Sequence, residues 1–206
     1  MIHVNKGDAP RFKKDWAEAI KKAYKNKCAY CEQKGQEIMN IEHYRPKAQY
    51  DWLKESWENL LCSCPKCNSN KSDKFPIAGT KITADTLPTD YYTIEKPLLL
   101  NPELEPHPEN HFRFTTNGKI IGVTTEGETT VDICGLNRNT LIEKRKPLFD
   151  KLKSSINEHL LLKDNAKIKQ IIEKFIADCK KQETDFLAFH KFILKHELKK
   201  MYNIEK

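Results

Sequence analysis

Cys28-Ala29-Tyr30-Cys31, Ile41-Glu42-His43-Tyr44-Arg45-Pro46-Lys47 and Cys64-Pro65-Lys66-Cys67-Asn68 are the segments whose reading decides the fold. Each Cys-x-x-Cys is one tight turn that presents two thiolates to a single ion, and two such turns complete the sulfur set of a tetrahedral zinc site. A closed site of this kind contributes to folding rather than to chemistry. Thirty-two residues separate Cys31 from Cys64, too many for a minimal zinc ribbon, so something is inserted within the frame. Cys62, on the extended segment leading to Cys64, reads as a core residue rather than a fifth ligand. Inside the frame, Glu42 offers a hard oxygen ligand beside the imidazole of His43, and Asn68 adds an amide. These are the parts of a one-metal phosphodiesterase. Successive residues of a regular strand face opposite ways, so Glu42 and His43 share one site only where the strand bends or ends, and Pro46 supplies such an ending.

Upstream, Phe12, Trp16, Ala19, Ile20 and Ala23 recur at three- and four-residue intervals. That spacing predicts an amphipathic helix within residues 10–27, packed on the zinc module. Between the cysteine pairs the sequence predicts two short strands, at 39–43 and 59–62, and then a helix. Residues 76–135 are loop-rich, with prolines at 76, 88, 97, 102, 106 and 108. Within them, segments 111–115 and 120–124 flank Thr116-Asn117-Gly118-Lys119, where Asn-Gly supplies the positive φ angles of a tight β-hairpin turn. After Gly135 the pattern is helical. Leu141, Leu148, Leu152, Ile156 and Leu160 mark one face; Ile168, Ile171, Ile172, Phe175, Ile176 and Cys179 a second; Phe186, Phe189, Phe192, Ile193, Leu198, Met201 and Tyr202 a third. The expected class is α+β in three regions: 1–75, 76–135 and 136–206, the last a small helical bundle or a docking arm.

The formal charge of +7 is unevenly spread. Residues 1–75 carry fifteen Lys/Arg against ten Asp/Glu, residues 76–135 four against nine, and residues 136–206 seventeen against ten. A phosphate polymer is the natural partner of such basic ends. Arg45, Lys47 and Lys71 lie beside the proposed site and are expected to meet phosphate oxygens without reading bases. Tyr44, Tyr50, Trp52 and Trp57 read as core rather than as stacking platforms. No apolar run suits a membrane span or a secretory signal, so the expectation is a soluble cytoplasmic protein, with Cys134 and Cys179 as ordinary buried thiols.

Taken together, Cys28/Cys31, Glu42-His43, Asn59-Leu60, Cys64/Cys67 with Asn68 directly after, and Lys71 resemble the zinc-bound ββα-metal, or HNH, nuclease module over residues 28–74, about a quarter of the chain. A closer resemblance runs to about residue 150 through IEHYRPK, WENLLCSCPKCNSNKSDKFP, PLLLNP, the hairpin and ICGLNRNTLIEKR. It is to the HNH effectors of Septu and retron-linked anti-phage defence. The resemblance implies an endonuclease in which His43 is the general base, Glu42 and Asn68 hold one catalytic Mg²⁺ or Mn²⁺, and Asn59 fixes the loop bearing the histidine. It further implies structural Zn²⁺ on the four cysteines, DNA as substrate and an ABC-type ATPase as partner. Glu42 departs from the Asp more usual in the superfamily, which bears on its role as a direct ligand. Two other readings stay open from the residues themselves: cleavage of RNA, including tRNA, or a non-catalytic zinc-dependent nucleic-acid-binding module.

Overall fold

The computed structural model of the chain describes residues 1, 3–34 and 39–202, except the side chains of residues 201 and 202. The faces expected of Met201 and Tyr202 therefore lie outside the described residues. Helix α1 (Trp16–Ala23) buries Ile20 and leans Trp16, Ala19 and Ala23 on the core. It is shorter than the 10–27 window. Residues Lys13–Asp15 form a 3₁₀ turn before it, and Phe12 is exposed under the side chains of Arg11 and Lys14. Lys25 and Asn26 then take positive φ, a left-handed reversal that ends the helix and carries the chain into the first cysteine turn.

Strand β1 (Asn40–His43) pairs antiparallel with β2 (Leu60–Ser63), from Asn40 opposite Ser63 to His43 opposite Leu60. Helix α2 (Pro65–Lys71) follows at once. Its start is set by Cys64, which takes the N-cap position and accepts a hydrogen bond on Sγ from the Cys67 amide at 3.4 Å. Pro65, which has no amide hydrogen to leave unpaired, occupies the first turn. This is the ββα arrangement expected within the cysteine frame. Every residue of β2 is buried, with α1 packed on that strand and α2 on its partner β1.

The following stretch holds more regular structure than its prolines suggest. It contains helix α3 (Tyr91–Glu95), the expected hairpin β3 (Phe112–Phe114) with β4 (Ile120–Gly122), and helix α4 (Thr125–Ile133), which the sequence reading left among loops. Three threonines and a glycine make α4 a weak helix former. Tertiary contacts hold it instead. The Thr124 hydroxyl caps the Gly127 amide at 3.1 Å, the Thr130 hydroxyl accepts from the Leu100 amide at 2.9 Å, and β4 lies on the helix so closely that a Cβ at Gly122 would sit 2.2 Å from the Glu128 nitrogen. In the hairpin turn only Gly118 has positive φ, so the pair of such angles expected at Asn-Gly is reduced to one; Asn117 acts through its side chain on Thr115.

Helices α5 (Asn139–Leu161) and α6 (Asn165–Lys180) pack on each other, and α7 (Leu187–Phe192) runs through a π turn at Ile193–Leu198 into α8 (Lys199–Tyr202). This helical region docks on the cysteine-framed module. Glu32 accepts the Ala188 amide at 2.9 Å, Asp185 accepts the Lys34 amide at 2.6 Å, and Lys27 Nζ donates to the Gln182 carbonyl at 3.0 Å. At the far corner, Leu160, Leu161 and Leu162 remain exposed, Leu161 by 86%. No helix among the described residues is long and apolar enough to cross a membrane.

Candidate active site and metal centre

The sulfurs of Cys28, Cys31, Cys64 and Cys67 lie within 4.8 Å of one another, and Cys31 and Cys64 stand 3.8 Å apart. A zinc ion with bonds of about 2.3 Å places tetrahedral ligands about 3.8 Å from each other, so the four sulfurs fit that ion. The protons of the cluster are shared unevenly. Hydrogen bonds from Cys28, Cys31 and Cys67 hold the Cys64 thiol far below its usual range, and the same contacts push Cys31 and Cys67 up. A dication that displaces those protons removes the conflict. Cys62 is fully buried, outside the set, with its thiol pushed up to about 12 by burial. Cys134 and Cys179 are buried free thiols, as expected.

The sequence reading missed a contact to this centre. The guanidinium of Arg138 faces Cys67, Cys64 and Cys31 at 3.4, 3.7 and 3.8 Å. Burial opposes its charge, yet the three sulfurs hold its pKa above the ordinary arginine value. Its only sequence signal is its place in ICGLNRNTLIEKR, a stretch without metal-ligand spacing of its own.

Glu42 and His43 part company at the end of β1, as the pleat requires. Glu42 is buried and ion-paired with Lys71 Nζ at 2.7 Å. Burial raises its pKa, with the Lys71 charge opposing the rise. His43 is half-buried, and its Nε2 lies 3.0 Å from the Lys54 carbonyl oxygen. The Lys71 ammonium also donates to the His43 carbonyl at 2.9 Å, so one cation ties the acid to the backbone of the histidine. Asn68 stands one turn before Lys71 on α2, on the same helix face, half-buried and with no hydrogen bond from its carboxamide among the described residues.

Asn59 is buried and holds the bend after His43. Its Oδ1 accepts the Arg45 amide at 2.8 Å, and its Nδ2 donates to the carbonyls of Arg45 at 3.0 Å and Leu53 at 3.2 Å. The bend turns the chain away before Pro46.

Two of the three expected phosphate contacts are placed elsewhere. Arg45 is buried, its Nε 2.6 Å from Glu95, with the rings of Tyr44, Phe75 and Tyr91 around its guanidinium. Lys71 is wholly buried on Glu42. A phosphate would have to draw each from an existing anion, so of the trio only Lys47 stands free at the surface. Among the aromatics, Tyr44, Tyr50 and Trp57 are core as expected. Trp52 is not: it is 38% exposed and rests edge-on against Tyr50.

Residues 28–74, a cysteine-framed ββα unit with an acid and an imidazole at the end of its first strand, match the HNH endonuclease family model. The likeness to HNH endonucleases is therefore carried by this segment of the chain. Beyond that domain the likeness is to Septu proteins. Septu protein PtuB of Bacillus mycoides (strain KBAB4) is 29% identical over 210 residues, 86% of this chain and 66% of that protein. A second PtuB, from Bacillus thuringiensis, is 32% identical over 144 residues, 68% of this chain and 48% of its own length. Septu protein PtuA of the same Bacillus mycoides strain is 29% identical over 191 residues, 85% of this chain and 26% of that protein. The chain therefore spans between a quarter and two thirds of the relatives it matches.

Proposed function

We propose that the chain is a metal-dependent endonuclease that cuts DNA in anti-phage defence, acting with a PtuA-like ABC-type ATPase. The observation that carries the nuclease reading is the position of His43: on the last residue of the first strand, ring accessible, backbone carbonyl tied to Lys71 and the following bend stapled by Asn59. A base so held takes a proton from water as the water attacks phosphorus. The Lys54 carbonyl on Nε2 orients the ring and favours the tautomer that carries its proton there, leaving Nδ1 to accept.

Glu42 and Asn68 are the residues to hold the catalytic Mg²⁺ or Mn²⁺, which when bound supplies charge stabilisation at the phosphate and the departing oxygen. The donor set suits a hard cation, on the condition that Lys71 gives up its place on the Glu42 carboxylate. Lys47 then serves as a sequence-blind phosphate contact. DNA is favoured over RNA by the Septu likeness alone. The test is one gel: parent and His43→Ala, with and without the ATPase, on DNA and RNA, with Mg²⁺ or EDTA. Mg²⁺-dependent DNA cleavage by the parent, lost in the variant, is the expected result. Cleavage by His43→Ala at the parental rate overturns the assignment.

The ATPase partnership draws on the similarity to a PtuA across a quarter of that protein's length, and on the exposed Leu160–Leu162 corner where α5 meets α6. Co-purification with the ATPase should be lost in the Leu161→Asp, Leu162→Asp double variant. Retention removes this corner as the contact.

A further inference from the structure

The ICGLNRNTLIEKR motif, residues 133–145, has no part in the cleavage site, yet it lies against the zinc frame. Arg138 is its contact. Besides the three sulfurs, its Nη1 donates to the carbonyls of Gly135 at 3.1 Å and Cys134 at 3.4 Å, closing the turn on itself. Among the described residues no carboxylate lies within 4.0 Å of it, so the sulfurs are the nearest groups able to carry its counter-charge. Against metal-free sulfurs that share protons among themselves, this half-buried guanidinium has less counter-charge than its desolvation calls for. Against zinc and four thiolates, a doubly negative unit, it is matched.

The neighbouring residues transmit that match outward. Gly135 has φ +58, and a Cβ there would lie 2.2 Å from Asn70 Nδ2, which itself donates to the Cys134 carbonyl at 3.3 Å. The turn is thereby seated on the end of α2. Asn137 grips β4 from both sides, accepting the Ile120 amide and donating to the Ile120 carbonyl, each at 2.8 Å. Helix α5 begins at the residue after Arg138. One turn therefore carries the hairpin on one side, the long helix on the other, and the sulfurs in the middle.

We infer that Arg138 is the outer-sphere clamp of the zinc centre and couples metal occupancy to the seating of the hairpin and α5 on the nuclease module. The inference rests on the zinc reading of the four cysteines. Hydrogen bonds from a cation to the thiolates withdraw charge from sulfur and slow its protonation, the step that frees the metal; outer-shell partners of this kind are worth about 10–100-fold in metal affinity. Arg138 is thus a positioning residue, remote from the reacting phosphate.

The experiment uses the full zinc-loaded chain and compares parent, Arg138→Ala, Arg138→Lys and Asn137→Ala. Bound zinc is counted by elemental analysis, its release to an excess of a chromogenic chelator is timed, and hydrogen exchange is followed in residues 112–122. Arg138→Ala should release zinc about 10–100-fold faster and lose protection in the hairpin. Arg138→Lys, with one point charge for a fork, should fall between. Asn137→Ala should loosen the hairpin while releasing zinc at the parental rate. Release from Arg138→Ala at the parental rate, or acceleration by Asn137→Ala to the same degree, overturns the inference. Should Arg138→Ala not accumulate as folded protein, the contrast of Arg138→Lys with Asn137→Ala decides it on the same criteria. A parent chain that takes up no zinc defeats the zinc reading itself, an outcome distinct from a zinc-loaded chain indifferent to Arg138.

Discussion

Replacing Lys71 by Met keeps an unbranched side chain, one heavy atom shorter, and removes its charge, leaving Glu42 buried and unpaired. At 2.7 Å and an effective dielectric of about 20, the attraction lost is about 6 kcal/mol, much of which offsets desolvation in the intact pair. Breaking one partner of a buried pair typically costs about 3–5 kcal/mol, and that is the loss expected here. Against a domain stability of about 5–15 kcal/mol this is a large fraction. The sign with pH follows from Glu42. Its pKa is raised in the folded state, so the proton it binds favours folding below the ordinary carboxylate range, and that stability is lost as pH rises through the folded value. Without Lys71 the folded pKa rises further, so the deficit is greatest at neutral and alkaline pH and shrinks as acid neutralises the carboxylate. Urea unfolding of parent, Lys71→Met, Glu42→Gln and the double variant at pH 5 and pH 8, with zinc saturating throughout, measures it. The double variant should recover most of the loss. A Lys71→Met deficit below about 1 kcal/mol, or one equal at both pH values, refutes the reasoning.

Four further outcomes follow from the same contacts. His43→Ala should lower cleavage by about 10²–10⁴-fold while zinc content and melting temperature hold. Asn59→Ala should cost about 2–4 kcal/mol in denaturant unfolding, since the amide and carbonyl of Arg45 and the carbonyl of Leu53 lose a buried partner. Cys64→Ser should lower zinc stoichiometry and soluble yield together, as elemental analysis and expression read out, because the same sulfur caps α2. Arg45→Ala and Lys47→Ala should separate: the first lowers stability by stranding Glu95, and the second weakens nucleic-acid binding and flattens its salt dependence with stability unchanged.

The cysteine-framed ββα unit was legible because its constraints are local: cysteine spacing, a proline directly after Cys64, and a strand-length apolar run before it. The hairpin was legible for the same reason, in a Gly118 that the turn requires. Helix α4 was not, since Thr130 and Gly122 act through residues brought together only by the fold, and the local cap at Thr124 precedes weak helix formers. The site divided along the same line. Arg45 and Lys71 stand beside His43 and Asn68 in sequence and so read as phosphate contacts, whereas the carboxylate that engages Arg45 comes from Glu95, fifty residues away. For Lys71, a basic residue three places after Asn68 suggests a phosphate contact until the buried acid on the facing strand is seen. Arg138, seventy-one residues beyond Cys67, had no local cue at all.

Because Cys64 is both a sulfur of the metal cluster and the cap of α2, the rotation of that helix about its axis is indexed to the ion. Each residue turns a helix by about 100°, so a single insertion between Cys67 and Asn68 would swing the amide to another quadrant while leaving the sulfur cage intact. The sulfur cage sets only its own four corners, while the direction of the Asn68 amide depends on how many residues follow the last of them.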